Sequence, residues 1–489
     1  MSENYFYLNR NQPSNVLYFK EWLPNVYLPK VKTLRRNNVN IAESQYRQEL
    51  EEAITTCGTN NSKNKRKLVE ILSQFNATSK EQRQKFYKEA WTGEKEKRQA
   101  MEQERNVNII QENIEFILSR CRVKLGNSCS EATMVAYTEI VRHLERLDPA
   151  TIKPEVPLAS GIIDLSGNED PFVNLLSSRS KQILMHHEFG NNEFPGEIKF
   201  MVDDFVDTYK DLRPDFDPVL MRPIAFPRGE MSIESRRILM AVFDLLEGLR
   251  HIWSLRPLLM EDDYSENSYV IHAVSKVLDP IFTYSKWSLK RAWSEQTNKS
   301  SQSRMERMEA TNSGKKPDLQ VLLKLDTVEN EIVLAEVSRL LPQQDKEIID
   351  WKKLVRICKD CFDERYNVFF DGRDDTTDIA RSINVKLGKV PVLGIQVIRD
   401  RVIVSALDLF EDDFYRVFRI CELVIPLRIS SRPIVEEFLK NALKMRFVVE
   451  KIIAMSVDVK DEISLLPVTE DRTPSTSMMS TTYSPPKNF

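Results

Sequence analysis

Residues 315–359 constrain this chain more tightly than any other stretch. Lys315-Lys316-Pro317-Asp318 leads into the strand-like run Leu319–Asp326, and four turn-like residues separate it from a second run, Glu331–Ser338. Two strand-length runs this close pair as an antiparallel hairpin. A helix bearing Lys352, Lys353, Arg356 and Lys359 comes next. The chain is therefore committed to a mixed α and β domain in its second half. Glu336 sits inside the otherwise apolar Ile332–Val337. A carboxylate buried there needs a compensating charge.

Asp318 opens the first strand and Glu336 lies near the end of the second, so antiparallel pairing brings the two together. Side chains alternate between faces with a period of two. An odd loop puts Asp318, Glu336 and Ser338 on one face; an even loop puts them on opposite faces. On one face, the two carboxylates are oxygen ligands suited to Mg²⁺ or Mn²⁺, with the Val337 carbonyl as a further ligand. Such a cation polarises a phosphodiester and activates water, and a lysine from the following helix stabilises the developing charge. Two structural readings stand beside this one. Asp318 is also a common turn acid after proline, and Glu336 can pair with Arg339 or with the Lys352 helix for stability alone.

The rest of the chain sets bounds. At 489 residues it exceeds one ordinary core, so two or three domains are expected. Hydrophobic content of 41% with 29% charged residues describes a globular protein with charged helical surfaces, and only 13 glycines argue against a propeller or a dinucleotide-binding fold. No apolar run approaches the roughly 20 residues needed to span a bilayer, and no secretory start is visible, so an intracellular, non-membrane protein is expected. The six cysteines are scattered, which fits a reduced compartment. Cys358 and Cys361 read as apolar-face residues one helical turn apart, and the five histidines show no metal spacing. Through residue 125 there are 22 Lys+Arg against 15 Glu and no Asp, although the whole chain is at −3. A basic first third favours polyanions such as nucleic acid; a charge-laced helical surface is the plainer account.

Four stretches follow in order. Residues 1–65 are basic and aromatic, with Tyr5, Phe6, Tyr7, Tyr18, Phe19, Trp22 and Tyr27 available to pack locally. Residues 66–260 read as helical, and Ile238, Val242, Leu245, Leu249 and Ile252 mark the clearest helix, with Ser232 as its N-cap. That region is also a candidate surface for protein partners. Residues 261–455 run helix (266–295), polar loop, strand, strand, helix (344–366), then β-branched strands Val390–Arg399 and Val402–Phe410, then a closing helix. Residues 456–489 read as a disordered tail, on their Thr, Ser, Met and Pro content beyond Pro467.

The order of elements over residues 262–455, with Glu266-Asn-Ser-Tyr269, Lys316-Pro317-Asp318, Ala335-Glu336-Val337-Ser338, Asp350-Trp-Lys-Lys-Leu354 and Gly394-Ile-Gln396, resembles the PD-(D/E)XK nuclease superfamily, and most of all its fungal branch. With the mostly helical N-terminal half read above, the resemblance implies an α+β chain whose second part is a restriction-endonuclease-like α/β domain with a small central mixed sheet. It further implies metal-dependent hydrolysis of DNA or RNA, with Asp318 and Glu336 as metal ligands and Gln396 lining the site. Glu266 is a further carboxylate from the first helix, or a helix-capping acid. Superfamily members place lysine two residues after the second acid, where this chain has Ser338; the following helix then nominates Lys352 or Lys353. An inactive binding or scaffold module is the alternative that Ser338 favours, and a helical protein-interaction module is another.

Overall fold

The computed structural model describes residues 5–8, 18–30, 39–57, 62–127, 129–167, 170–189, 196–208, 223–227, 230–259, 265–294, 296–307, 314–325, 328–338, 346–370, 373 and 377–468. The chain divides between Asn106 and Val107 into two compact units.

In the first unit, helix α1 (Val39–Thr56) sets Ala42, Tyr46, Leu50 and Ala53 at steps of four, four and three, and all four are buried. This spacing is one face of a 3.6-residue helix. Helix α2 (Ser62–Ala77) adds Leu68, Ile71 and Phe75, and helix α3 (Lys80–Gly126) adds Tyr87. Tyr46 meets Phe6 and Phe19 with ring centroids 5.1 Å away and Trp22 at 5.2 Å, each close to edge-on. Edge-on contact sets the positive rim of one ring against the negative face of another. The aromatics expected to pack locally thus supply the core of this unit, Phe6, Phe19, Trp22 and Tyr27 among them.

The second unit is built on seven strands: β1 (Ile162–Leu165), β2 (Leu289–Trp293), β3 (Leu319–Leu325), β4 (Val328–Ser338), β5 (Val392–Ile398), β6 (Arg401–Phe410) and β7 (Phe414–Val424). Their order across the sheet is β1-β7-β6-β5-β4-β3-β2. Pairing is parallel at β1/β7 and β4/β5 and antiparallel elsewhere, so the sheet is mixed as expected. It is not small. The expected size falls short because three strands lack a readable alternation. β1 is four residues long with every side chain buried. β7 is buried on both faces over most of its length and carries Arg416 among its buried residues, which hides the period of two. β2 is a short edge strand inside the stretch read as a helix over 266–295, where helix instead ends at Thr283.

Helix α4 (Ile233–Leu259) carries the expected stripe, and Ser232 Oγ accepts from the Ser235 amide at 3.0 Å, as an N-cap should. It meets α5 (Ser275–Thr283) so closely at Gly248 that an added Cβ would lie 2.7 Å from the Lys276 carbonyl oxygen. Helix α6 (Lys346–Phe369) lies across β4, β5 and β6. Gly394 permits that approach, since a Cβ there would come within 3.2 Å of Cys358 Sγ. Cys358 and Cys361 are buried free thiols on this inward side of α6, pushed up by burial. The closing helix α7 (Arg432–Ser464) passes residue 455, where the tail was expected to begin, because Ser456, Val459 and Ile463 prolong its buried stripe. Residues 469–489, the remainder of the expected tail, lie outside the described residues.

Candidate active site

The β3–β4 hairpin closes over two residues, since Leu325 faces Val328. Two is even, and by alternation alone Asp318 and Glu336 would part to opposite faces. A bulge reverses that outcome. Val321 faces Val333 but Leu322 faces Glu331, so Ile332 is the extra residue on β4. Beyond the bulge Leu319 faces Ala335, and Asp318, one residue before β3, bonds the Ala335 carbonyl through its amide and lies close enough to Glu336 for its charge to raise that acid. The two acids meet on the Lys353 side of a hairpin that has an even loop and a bulge in β4, not an odd loop.

Asp318 is pinned at the mouth of the hairpin. Its amide donates to the Ala335 carbonyl at 2.9 Å, its carbonyl accepts from the Ser294 amide at 2.7 Å, and its Oδ2 accepts from the Val337 amide at 2.7 Å. Val337 itself is buried in register with Val397, and its amide is the group that touches the site. Glu336 is 4% exposed. Lys353 Nζ lies 2.6 and 2.8 Å from its two carboxylate oxygens and also donates to the Lys316 carbonyl at 2.9 Å. Of the two lysines nominated on α6, Lys353 is therefore the one at the acids.

Lys346, Asp350 and Lys353 fall on one face of α6 at steps of four and three. Lys346 bonds the carboxylate of Glu266, which opens a short helix N-capped by Ser265, and stands 3.9 Å from Asp350 Oδ2. Ser338, in the place where lysine was expected, donates its hydroxyl to Asp350 Oδ2 at 3.0 Å. Four carboxylates (Glu266, Asp318, Glu336, Asp350) thus surround two ammonium groups (Lys346, Lys353). Asp350 was quoted from the sequence without a role and Lys346 was not quoted, although their spacing ahead of Lys353 was there to be read.

The charge imbalance is visible in the acids. Burial, first, pushes Glu336 up to about 8; Lys353 pulls it down, while Asp318 and Asp350 push it further up. Burial also raises Asp318, against the pull of the Val337 amide and Lys353, with Glu266 and Asp350 adding to the rise. Asp350 is raised by burial as well, opposed by Lys346, Ser338 and Lys353.

Two nominated residues face elsewhere. Lys352 lines a cavity of about 880 Å³ together with Asp164, Asp170, Trp351 and Ile398, and its charge acts on Asp170. Gln396 is in register with Glu336, yet its amide donates to the Glu347 carbonyl at 2.6 Å and it lines the same cavity. Fully buried Asp164 accepts from Trp351 Nε1 at 2.6 Å and is pushed up to about 6 by burial. Arg339, one of the two structural partners considered for Glu336, lies outside the described residues.

Among the described residues, no three His, Cys, Asp or Glu side chains converge as a metal site would require. The lysines stand between the acids. Donor chemistry nevertheless fits a hard divalent cation: the groups are all carboxylate oxygens, and they carry more negative charge than the two lysines balance. No protein-family model, curated protein or solved structure matches this chain.

Proposed function

We propose that the second unit is a divalent-cation-dependent phosphodiesterase of the nuclease type, acting on DNA or RNA. The observation that carries this reading is the bulge-corrected hairpin, which sets Asp318 beside Glu336 under Lys353 with Asp350 and Glu266 nearby. Asp318 and Glu336, assisted by Asp350, would hold Mg²⁺ or Mn²⁺; the bound cation would polarise the phosphoryl oxygen and acidify a water. Asp318 is kept in place by the Val337 amide, and Asp350 by the Ser338 hydroxyl. Lys353 would leave its pairing with Glu336 in part and offer its ammonium to the negative charge that grows on the phosphorus oxygens. In the reaction the water oxygen forms the new P–O bond, the ester P–O bond breaks, and the departing oxygen takes up a proton. The net positive first 125 residues would draw in the polyanion.

A non-catalytic binding module on the same fold is the second reading, and the Ser338–Asp350 bond in place of a lysine favours it. The test is incubation of the purified full chain with single- and double-stranded DNA and RNA, with Mn²⁺ or with a chelator. Cleavage that needs Mn²⁺ and drops by about two orders of magnitude in Glu336→Gln supports the enzyme. Equal cleavage by wild type and Glu336→Gln, or none by either, removes it.

A further inference from the structure

A second cavity, of about 610 Å³, lies at the other end of the sheet, with Asp408, Phe410 and Arg416 on the face away from α6. Tyr415 of β7 points toward α6, where its hydroxyl bonds Asp363, so the next residue, Arg416, points away from α6. Along β6 the cavity is lined by Asp408 to Glu411, whereas Gln396, the neighbour of Glu336, faces Ile403 near the opposite end of that strand.

Arg416 is the buried anchor of this cavity. Its Nε and Nη2 reach the two carboxylate oxygens of Asp408 at 2.7 and 3.0 Å, and its Nη1 donates to the carbonyls of Leu184 and His186. Four of its five N–H donors are thereby used, two on Asp408 and two on carbonyls at the C-terminal end of the helix Ser178–Met185. Ile183, Phe189, Leu409, Phe410 and Met455 give the cavity apolar walls. Arg179, His186 and Lys389 also line it and form no ion pair with any described residue. Lys451 donates to the Glu188 carbonyl at 2.9 Å and stands 3.9 Å from that residue's carboxylate. His187 stacks on Phe418, and its Nδ1 accepts from the Phe189 amide at 3.1 Å, which leaves Nε2 as its remaining donor. Three carboxylates share the lining: Asp408 is committed to Arg416, and Glu188 and Glu411 are exposed. Exposed Arg179 and Lys389 beside apolar walls give the cavity a positive rim.

We propose that this cavity binds a small organic oxyanion, a phosphate carried on a planar, apolar body, which is the chemical class of a mononucleotide. Arg179 and Lys389 would take the phosphate, and Phe189, Phe410 and Met455 would receive the body. Nothing in this site is shared with the carboxylate cluster, so it stands or falls separately.

The test is calorimetric titration of the full chain, in a chelator, with AMP, adenosine and inorganic phosphate. AMP should bind saturably and about tenfold more tightly than adenosine or phosphate alone. Because Arg179 and Lys389 are exposed, the double variant Arg179→Gln/Lys389→Gln should keep the wild-type melting temperature while binding AMP at least about tenfold more weakly. Glu336→Gln should bind AMP as wild type does. Absence of saturable AMP binding, binding that the double variant leaves unchanged, or inorganic phosphate binding as tightly as AMP would each overturn the proposal.

Discussion

The two ends of helix α6 bury charge in opposite ways. At its C-terminal half every acid has a cation or a donor to hold it. Arg304 Nε meets Asp360 Oδ2 at 2.9 Å, Lys359 meets Asp363 at 2.7 Å, and Asp363 also accepts from Tyr415. Arg365 bonds Asn330 and the Val390 carbonyl, and Glu331 accepts from Ser300 at 2.8 Å. All but partly exposed Asp363 are sealed from water, and the four cations (Arg304, Arg356, Lys359, Arg365) outnumber the three acids (Glu331, Asp360, Asp363) by one. The N-terminal half has the reverse balance: two partly exposed lysines face four acids. A closed, compensated network holds a fold together. An acid-rich one stays in place only because the rest of the domain holds it, and a bound cation would relieve it.

The largest effect should come from the sealed end. Asp360→Ala removes a carboxylate from buried Arg304 and should cost on the order of 3–5 kcal/mol in urea unfolding. A loss under about 1 kcal/mol would mean that this network is not compensated as described.

Next comes the contrast between neighbouring lysines. Lys353→Met should cut phosphodiester hydrolysis by on the order of a hundredfold, while Lys352→Met should change it by less than about threefold, because Lys352 faces the other cavity. Equal losses in both would break the assignment of Lys353 to the acids.

A smaller effect is expected in the pH dependence of stability without metal. Glu336 is raised from its ordinary 4.5 to about 8. The unfolded chain therefore gives up this proton first, and the folded state is penalised as pH rises from about 4.5 to about 8. Glu336→Gln should unfold at the same urea midpoint as wild type near the acid end of that window and at a higher one near the alkaline end. Parallel pH profiles for the two proteins would show that Glu336 does not carry uncompensated charge.

How much of this was legible beforehand differs by residue. The β5–β6 hairpin around Arg399 and Asp400, the stripe and N-cap of α4, and the closeness of Asp318 to Glu336 all follow from local pattern, and the structure has them. The route by which the two acids share a face was not legible. Ile332 is one more apolar residue in an apolar run, and nothing local marks it as the bulge. The choice of Lys353 over Lys352 required knowing the rotation of α6, which Gly394, Leu354 and Cys358 fix by contact across the sheet. Gln396 shows the limit of register as evidence: it stands beside Glu336 on the sheet, but its side chain is drawn to the Glu347 carbonyl.

Titration of the metal-free full chain with Mn²⁺ by calorimetry addresses the acid-rich end of α6 most directly. Wild type should show saturable binding, and Asp318→Asn should weaken it by at least about tenfold, or about 1.4 kcal/mol, with no loss of folded structure. Wild type that takes up no Mn²⁺ at millimolar concentration, or an Asp318→Asn variant that binds as well as wild type, would contradict a cation site at Asp318 and Glu336.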